Sequence, residues 1–464
     1  MENILSEFNI EQNKISERAF FKLINNAKAN DLKKQFVSIK NQLFEIFTMY
    51  KENEEFKEYH LILENAHAKK QFEFKLNMDN FPNINIESIS KLDEIGLTFY
   101  KDELKILGIP TIAGNFEIEI SFSNINDSNS TIDKKYVTFI VNADPKDLWK
   151  SIPSDSAALY YKNDENSFSG DFIDKKIVVA SKRGRSHAHE GTFRDDDFCV
   201  KKLFNDWNII AVADGAGSAK FARKGSSLSV EYICNYFNSV ELLNYFDENV
   251  ILFNNSKKSA DDNNIEDLSV NNLEAKKNII QTLYKGVREL HEELKRFSVD
   301  EGIAIKDLNT TLIFTLVKKF DFGYVVLSFG VGDCPINILT EDNTSVQLLN
   351  ILDVGEFGGG TRFITMNEIF SNPNMGSRFG INIYEDFSKL ILMTDGIYDP
   401  KFVTENKLED LETWQEFLKD LDGNNEENVK VEFDKDTEIE KQLLNWMDFW
   451  SKGNHDDRTL AIIY

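Results

Sequence analysis

Apolar runs that end in an aspartate recur in the second half of this chain. Three of these β-branched runs are each followed at once by an acid, namely Asp214, Asp333 and Asp395. Runs of this length and composition predict strands that are buried on both faces. In a fourth place the order is reversed, and Asp456 precedes an apolar run. A fold built from these strands is therefore expected to carry acids at several strand ends.

The number of these acids matters more than any one of them. A single Asp-Gly pair after a strand is more often a hairpin turn than a functional site. Here the strand-end acids are joined by a run of three, Asp195–Asp197. If the strand ends converge, the like charges are costly, and a bound cation is the usual remedy. Oxygen ligands favour Mg²⁺ or Mn²⁺, and the three cysteines are too far apart for a metal-ligand spacing or a disulfide framework.

The first part of the chain follows other patterns. In residues 1–66 apolar positions recur at helical spacing, which predicts a helical N-terminal region, either a packed hairpin or an interaction arm. Alternating apolar residues in 67–147 predict a small β-sandwich, and its segment 107–116 resembles a turn of bacterial immunoglobulin-like domains. Proline and polar residues in 148–174 predict a linker. The acid-bearing domain is expected over 175–464.

The charge balance excludes some partners. The chain has 78 acidic against 53 basic side chains and a formal charge of -25. Such a surface repels phosphate backbones and anionic lipids, so neither nucleic acid nor a membrane is expected as a partner. The first ten residues lack a basic start before an apolar core, and no run approaches a membrane span. The sequence therefore predicts a cytoplasmic protein without a secretory signal.

Five motifs of the second half resemble the PPM family, the type 2C Ser/Thr protein phosphatases, and stand in the family's order. They are Asp214-Gly215-Ala216-Gly217-Ser218, Asn309-Thr310-Thr311-Leu312, Gly332-Asp333, Thr394-Asp395-Gly396-Ile397-Tyr398-Asp399 and Asp456-Asp457-Arg458-Thr459. The resemblance covers about residues 177–464. It implies an α+β four-layer αββα sandwich, here preceded by the helical segment and the immunoglobulin-like sandwich. It also implies that water activated by two metal ions hydrolyses phosphoserine and phosphothreonine on proteins.

The segment 183–198 resembles a bacterial branch of that family. Ser186-His187, Gly191 and Asp195-Asp196 stand at the spacing of its first motif. The segment is more similar still to phosphatases found beside a protein kinase and a von Willebrand-type protein in stress and defence gene clusters. This resemblance implies a phosphorylated protein substrate, with a Ser/Thr kinase and a von Willebrand-type protein as partners.

The resemblance also implies a ligand set for two Mn²⁺ or Mg²⁺ ions. The expected metal-binding residues are Asp195, Asp196, Asp214, Asp333, Asp395 and Asp456, with the backbone carbonyl of Gly215. Asp214 would bridge both ions, and Asp196 would orient a metal-bound water. Asp333 and Asp399 would lie near a third, looser metal position. The glycine-rich segment 355–360 resembles a flap over the active site and is expected to gate the substrate.

The phosphate contact departs from the family pattern. The family's usual arginine falls on Gly191 here, so another basic residue must meet the phosphate. The catalytic candidates are Arg185, His187 and Arg194, with Arg185 and His187 favoured, together with Asp196. His187 could also serve as the general acid for the leaving group. Asp457 stands where the family carries Asn.

Two other functions stay open at this point. A pseudophosphatase scaffold would keep the fold and bind phosphoprotein without turnover. An adaptor that works through the N-terminal regions would not need the acids at all. Asp197 lies one residue past the matched pair, so the substitution Asp197→Asn is expected to be mild.

Overall fold

The computed structural model divides the chain into two compact units, residues 1–148 and 149–464. The residues that it describes are 10, 13–258, 265–340, 342–354, 360–435, 437–451 and 453–464. The predicted flap, apart from Gly360, lies outside the described residues. Among the described residues, no helix is both long and apolar enough to cross a membrane.

Unit 1 begins with two helices, α1 (Lys14–Ile24) and α2 (Ala27–Glu58). Each helix is capped by an asparagine side chain, which accepts backbone N–H bonds of the first turn. The predicted helical N-terminal region is therefore present. The long helix α2 buries only three described side chains, all near its C-terminal end, which are Met49, Asn53 and Phe56.

Two small sheets make up the rest of unit 1. Their strands are β1 (Ala66–His67), β2 (Phe72–Lys75), β3 (Ile84–Ile89), β4 (Leu97–Tyr100), β5 (Lys105–Gly108), β6 (Gly114–Asn124) and β7 (Asp133–Asn142). The order is β1-β7-β6-β3 in one sheet and β2-β5-β4 in the other. Phe56 of α2 packs edge-on against Phe122 of β6, with ring centroids 4.7 Å apart. The strands predicted for 67–147 are thus observed, while their immunoglobulin-like arrangement stays a prediction.

Unit 2 contains two larger sheets. Its strands are β8 (Glu165–Phe172), β9 (Lys175–Lys182), β10 (Asp197–Lys202), β11 (Asn208–Ala213), β12 (Leu312–Phe320), β13 (Gly323–Val331), β14 (Ile336–Thr340), β15 (Ser345–Leu348), β16 (Phe379–Tyr384), β17 (Lys389–Met393) and β18 (Arg458–Ile463). One sheet has the order β10-β11-β12-β13-β16 and the other β15-β14-β17-β18-β9-β8. Every residue of β11, β13 and β18 is buried, as their apolar sequences predict.

Helices cover the outer face of each sheet. The helices of this unit are α3 (Arg185–Glu190), α4 (Ala222–Tyr236), α5 (Val240–Lys258), α6 (Ile265–Asp300), α7 (Asn367–Ser371), α8 (Asp395–Phe402), α9 (Leu411–Leu421) and α10 (Ile439–Trp446). Leu283 of α6 shares a core with Ile209 of β11, and Trp414 of α9 shares another with Ile391 of β17. A third core lies between the sheets. The predicted mixed α/β fold is confirmed.

The structure corrects the predicted linker. Within 148–174, strand β8 pairs along its whole length with β9, in antiparallel register from Glu165–Lys182 to Phe172–Lys175. The sequence of β8 is rich in Ser, Asn and Gly because an edge strand leaves many of its side chains in solvent. Residues 165–172 are therefore part of the sheet, and unit 2 begins before residue 175.

Candidate functional site

Asp214 stands at the end of β11, where the start of β12 holds its backbone. Its N–H donates to Thr311 Oγ1 at 2.9 Å, and its carbonyl accepts the Thr311 N–H and the Thr310 hydroxyl, each at 2.8 Å. A Cβ on the next residue, Gly215, would lie 2.6 Å from the carbonyl oxygen of Asp195. Glycine is therefore required for the close approach of the segments that carry Asp195 and Asp214.

Asp333 and Asp395 follow the ends of β13 and β17. Asp333 Oδ2 accepts a hydrogen bond from the Thr361 hydroxyl at 2.8 Å. The other oxygen of Asp333, Oδ1, and Oδ1 of Asp395 are buried and have no hydrogen-bond partner among the described residues. Buried polar atoms are normally paired, and an unpaired carboxylate oxygen is costly. The two oxygens are thus suited to a ligand that the chain itself does not supply.

The acids raise one another's pKa values. Burial, and then the charge of Asp395, raises the pKa of Asp214 well above its ordinary range, with further contributions from Asp196, Asp456 and Asp333. Burial, and then Asp456 and Asp333, does the same to the pKa of Asp395. Carboxylates raise one another's pKa values in this way only when they lie close together. The structure therefore brings these five predicted acids, from separate parts of unit 2, into one group, hereafter the acid cluster.

Asp196 is fixed within the acid cluster by two threonines. Its Oδ2 accepts hydrogen bonds from Thr394 Oγ1 at 2.8 Å and from Thr459 Oγ1 at 2.7 Å. Burial, followed by the charge of Asp457, raises the pKa of Asp196 to about 7. Neither threonine was predicted to be part of the site, although both belong to the matched motifs, Thr394 directly before Asp395 and Thr459 two residues after Asp457.

Asp457 ties the first motif to the last one. Its Oδ1 accepts the Gly184 N–H at 2.6 Å, and its Oδ2 accepts the Asp195 N–H at 2.5 Å. A Cβ on Gly184 would lie 2.3 Å from the Asp456 carbonyl carbon, so these backbones touch. The sequence marked Asp457 only as a departure from the family's Asn. Its position beside Asp456 was the available signal for this structural role.

His187 is the predicted basic residue that meets the acids. Its Nε2 lies 3.6 Å from Asp456 Oδ1, and its Nδ1 lies 3.5 Å from Asp457 Oδ2 and is bonded to the Phe193 carbonyl. Burial lowers the pKa of His187, but Asp457, the Phe193 carbonyl and the other acids outweigh burial and raise it to about 9. Burial and Asp457 likewise raise the pKa of Asp195 to about 7.

The two candidate arginines have partners elsewhere. Arg194 is 2% exposed, and its guanidinium donates to Ser181 Oγ at 2.6 Å and to the carbonyls of Asp196 and Asn163. Its predicted contact with phosphate is corrected, because these interior partners make it a support for the Asp196 backbone. Arg185, at the start of α3, donates to the Asp448 carbonyl at 2.5 Å and stacks over the Trp450 ring.

A buried ion pair lies behind the acid cluster. Lys162 Nζ is 3.0 Å from Asp197 Oδ2 and donates to the Asp196 carbonyl at 3.0 Å and to Ser226 Oγ at 3.1 Å. Burial lowers the pKa of Lys162, while Asp197 raises it. Asp197 is therefore a structural partner, so we expect Asp197→Asn to lower stability, while its mild effect on turnover stays a prediction. Lys162 itself was missed, because its polar surroundings in the sequence do not distinguish it.

The donor atoms fit a hard divalent cation. Ligand atoms of Asp214, Asp333 and Cys334 lie within 4.8 Å of one another, as do those of His187, Asp456 and Asp457. The Cys334 thiol is fully buried, and burial raises its pKa well above 9. A buried thiol is a poorer ligand for a hard cation than a carboxylate, so the oxygens of Asp214 and Asp333 are the better donors of the first group. Such oxygens are typical ligands of Mg²⁺ and Mn²⁺.

Several known proteins resemble parts of this chain. A search of curated proteins finds no match. Solved structures that resemble the chain include a bacterial serine phosphatase (13% identity, TM-score 0.35, 62% of this chain and 97% of that one). Others are the serine/threonine phosphatase Stp1 from Staphylococcus aureus (12%, 0.32, 67% and 98%) and RsbX in complex with magnesium (12%, 0.35, 64% and 100%). The model of the family described as Protein phosphatase 2C matches residues 183–447, more than half of the sequence. The chain belongs to the protein phosphatase 2C family.

Proposed function

We propose that this protein hydrolyses phosphoserine and phosphothreonine esters on other proteins, with two Mn²⁺ or Mg²⁺ ions held by the acid cluster. One observation carries this proposal. Carboxylates from separate strand ends converge, and two of their buried oxygens have no partner among the described residues. A protein gains nothing from burying like charges unless a cation offsets their repulsion. Family membership supplies the reaction class.

The family resemblance implies the ligand roles. Asp214 would bind both ions, and the charges of Asp395, Asp196, Asp456 and Asp333 that act on its carboxyl are consistent with that role. The Gly215 carbonyl would join it at one ion. Asp395 and Asp456 would hold the other ion. Asp195 and Asp196 would complete this set, and Asp333 would serve a third, looser ion with Asp399.

The metal ions supply Lewis acidity, which polarises a phosphoryl oxygen and lowers the pKa of a bound water. The residues of the chain do the rest. Thr394 and Thr459 fix the plane of the Asp196 carboxylate, which can then orient the attacking water. The acids beside His187 raise its pKa to about 9, which favours its positively charged form at neutral pH. His187 can bind a phosphate oxygen and give its proton to the departing serine or threonine oxygen.

The substrate and partners are less closely defined by the site. The resemblance of 183–198 supports a phosphoprotein substrate, an opposing Ser/Thr kinase and a von Willebrand-type partner in a signalling or stress and defence system. A cytoplasmic location is consistent with all three. These partners are proposals that rest on that segment alone.

The test is phosphate release from a phosphothreonine peptide with Mn²⁺, with Mg²⁺ and with a chelator. We expect turnover with either ion and none with the chelator. Calorimetry on the same protein would measure how many divalent ions bind. Peptide and metal binding without any phosphate release would instead identify a scaffold, and release that survives chelation would refute the metal-dependent reaction.

A further inference from the structure

Helix α2 is exposed along most of its length. Every residue from 31 to 48 is exposed. Its large apolar side chains in that stretch are Leu32, Phe36, Val37, Ile39, Leu43, Phe44, Ile46 and Phe47. Soluble monomers rarely expose an apolar patch of this extent, and a helix without tertiary contacts is only marginally stable in water. The exposed part of α2 therefore lacks the packing partner that its apolar side chains need.

The spacing of the apolar residues indicates what kind of surface would cover them. Five of them and Tyr50 follow one another in alternating steps of four and three residues, in the order Leu32, Phe36, Ile39, Leu43, Ile46 and Tyr50. All six are about half exposed or more. Alternation of four and three is the pattern of a coiled-coil seam, which packs against another helix. This stripe, the α2 seam, is about 27 Å long at 1.5 Å per residue.

The charges on α2 indicate which helix fits. Its first half, 27–40, carries four lysines and one aspartate, and its second half, 41–58, carries five glutamates and two lysines. The two halves therefore have opposite net charges. A second α2 that runs antiparallel would set each half against one of opposite charge, whereas a parallel one would set like against like. The helix is complementary to an antiparallel copy of itself.

We propose that two copies of this chain associate through their α2 seams in antiparallel orientation. Ile39 then packs against Leu43 of the partner subunit at the centre of the seam. Because the interface is two-fold, the same pair of residues occurs twice in it. At the flank, Lys33 lies opposite Glu54 of the partner subunit. The proposal concerns unit 1 and does not depend on the phosphatase reaction.

The first test compares two matched double variants of the full chain by light scattering after size exclusion. The wild-type protein is expected at twice the mass of one chain. Ile39→Asp with Leu43→Asp charges the centre of the seam and should halve that mass. Ser38→Asp with Asn41→Asp places the same charges on the opposite face of the same helix and should leave a dimer.

Circular dichroism would show that both double variants stay folded. A monomeric wild-type protein at tens of micromolar would overturn the proposal, since the seam would then be free or covered within one chain. A seam variant that stays dimeric would overturn it as well, because the interface would lie elsewhere.

The second test concerns orientation. In the antiparallel dimer, Lys33→Glu would set a carboxylate opposite Glu54 of the partner subunit at both ends, and the dissociation constant should rise roughly tenfold, about 1.4 kcal/mol. Adding Glu54→Lys should restore the dimer. In a parallel dimer the neighbour of Lys33 would be Lys28 of the partner subunit, so Lys33→Glu would tighten association. Sedimentation equilibrium measures the constant, and a tighter or unchanged one would refute the antiparallel arrangement.

Discussion

Two groups of charged side chains lie side by side in residues 149–464, and they differ in how their charges are compensated. In the group around Lys162, Arg194 and Asp197, each cation has an anion or carbonyl within hydrogen-bond distance. In the acid cluster, the carboxylates face one another, and oxygens of Asp333 and Asp395 have no partner in the described chain. The first group is complete when the protein folds. On the proposed function, a bound cation completes the second, which is how a functional site would differ from a structural ion pair.

The largest expected effect comes from the centre of the uncompensated group. Asp214→Asn keeps the size of the side chain but removes the charge that all its acidic neighbours face. We expect turnover on a phosphothreonine peptide to fall at least roughly a thousandfold, about 4 kcal/mol of barrier, with the fold retained. Phosphate release and circular dichroism would be measured together.

The matched control for that variant is Asp321→Asn in the exposed hairpin between β12 and β13. It makes the same chemical change far from the acid cluster and should leave turnover unaltered. If a folded Asp214→Asn protein kept near-normal turnover, the proposed role of the acid cluster would be wrong.

A substitution in the group around Lys162 should lower the free energy of unfolding instead of turnover. Asp197→Asn leaves the buried Lys162 ammonium without its anion, and their side chains are only 13% and 11% exposed. Breaking a buried pair from one side costs about 3 kcal/mol or more of the free energy of unfolding. Urea unfolding in chelator measures this loss. Asp422→Asn, which breaks a surface pair with Lys430, is the control and should leave the unfolding midpoint in place.

The basic residues give a smaller and more selective effect. His187→Gln removes the cation beside Asp456 and should lower kcat/KM roughly a hundredfold while metal affinity is kept. Arg185→Gln should cost less than tenfold, because that guanidinium is engaged by the Asp448 carbonyl and Trp450. Steady-state kinetics and calorimetry on both variants test the order. A greater loss of kcat/KM in Arg185→Gln than in His187→Gln would show that Arg185, and not His187, contacts the phosphate.

The contrast between the two groups also explains what the sequence could reveal. Asp214, Asp333 and Asp395 were predictable because each follows its own apolar strand, which is a local pattern. The contacts of Lys162 and Asp457 were not, because their partners are distant in the chain. Lys162 meets Asp197 across 35 residues, and Asp457 meets Gly184 across 273. The edge strand β8 was predicted as part of a linker because its sequence is polar, and its pairing with β9 leaves no pattern in that sequence.

The burial of Arg194 could not be predicted for the same reason, namely that it depends on contacts between separate parts of the chain. In the sequence Arg194 is one of several basic residues beside an acid run, and its interior partners Ser181 and Asn163 come from β9 and the segment before β8. The sequence therefore identifies which acids lie at strand ends, but not which cations are already neutralised. That distinction depends on tertiary contacts.

The smallest expected effect is that of Asp395→Asn on stability. It tests directly whether the acids of the cluster repel one another when no metal ion is bound. The pKa of Asp395 is raised in the folded protein, by burial and by its acidic neighbours, above the ordinary 3.8 that the unfolded chain retains. Its ionised form therefore destabilises the metal-free fold at neutral pH, and this penalty disappears as the pH falls below 3.8. In chelator at pH 7, Asp395→Asn should raise the free energy of unfolding, by an amount on the order of 1 kcal/mol. The advantage should shrink toward pH 4.

With saturating Mn²⁺ the order of the two stabilities should reverse, because the wild-type protein gains stability from an ion that the Asp395→Asn variant holds less well. Urea unfolding under the three conditions measures all of this. A variant less stable than the wild-type protein in chelator at pH 7 would show that the carboxylates of the acid cluster are compensated within the chain, as those of the Lys162 group are.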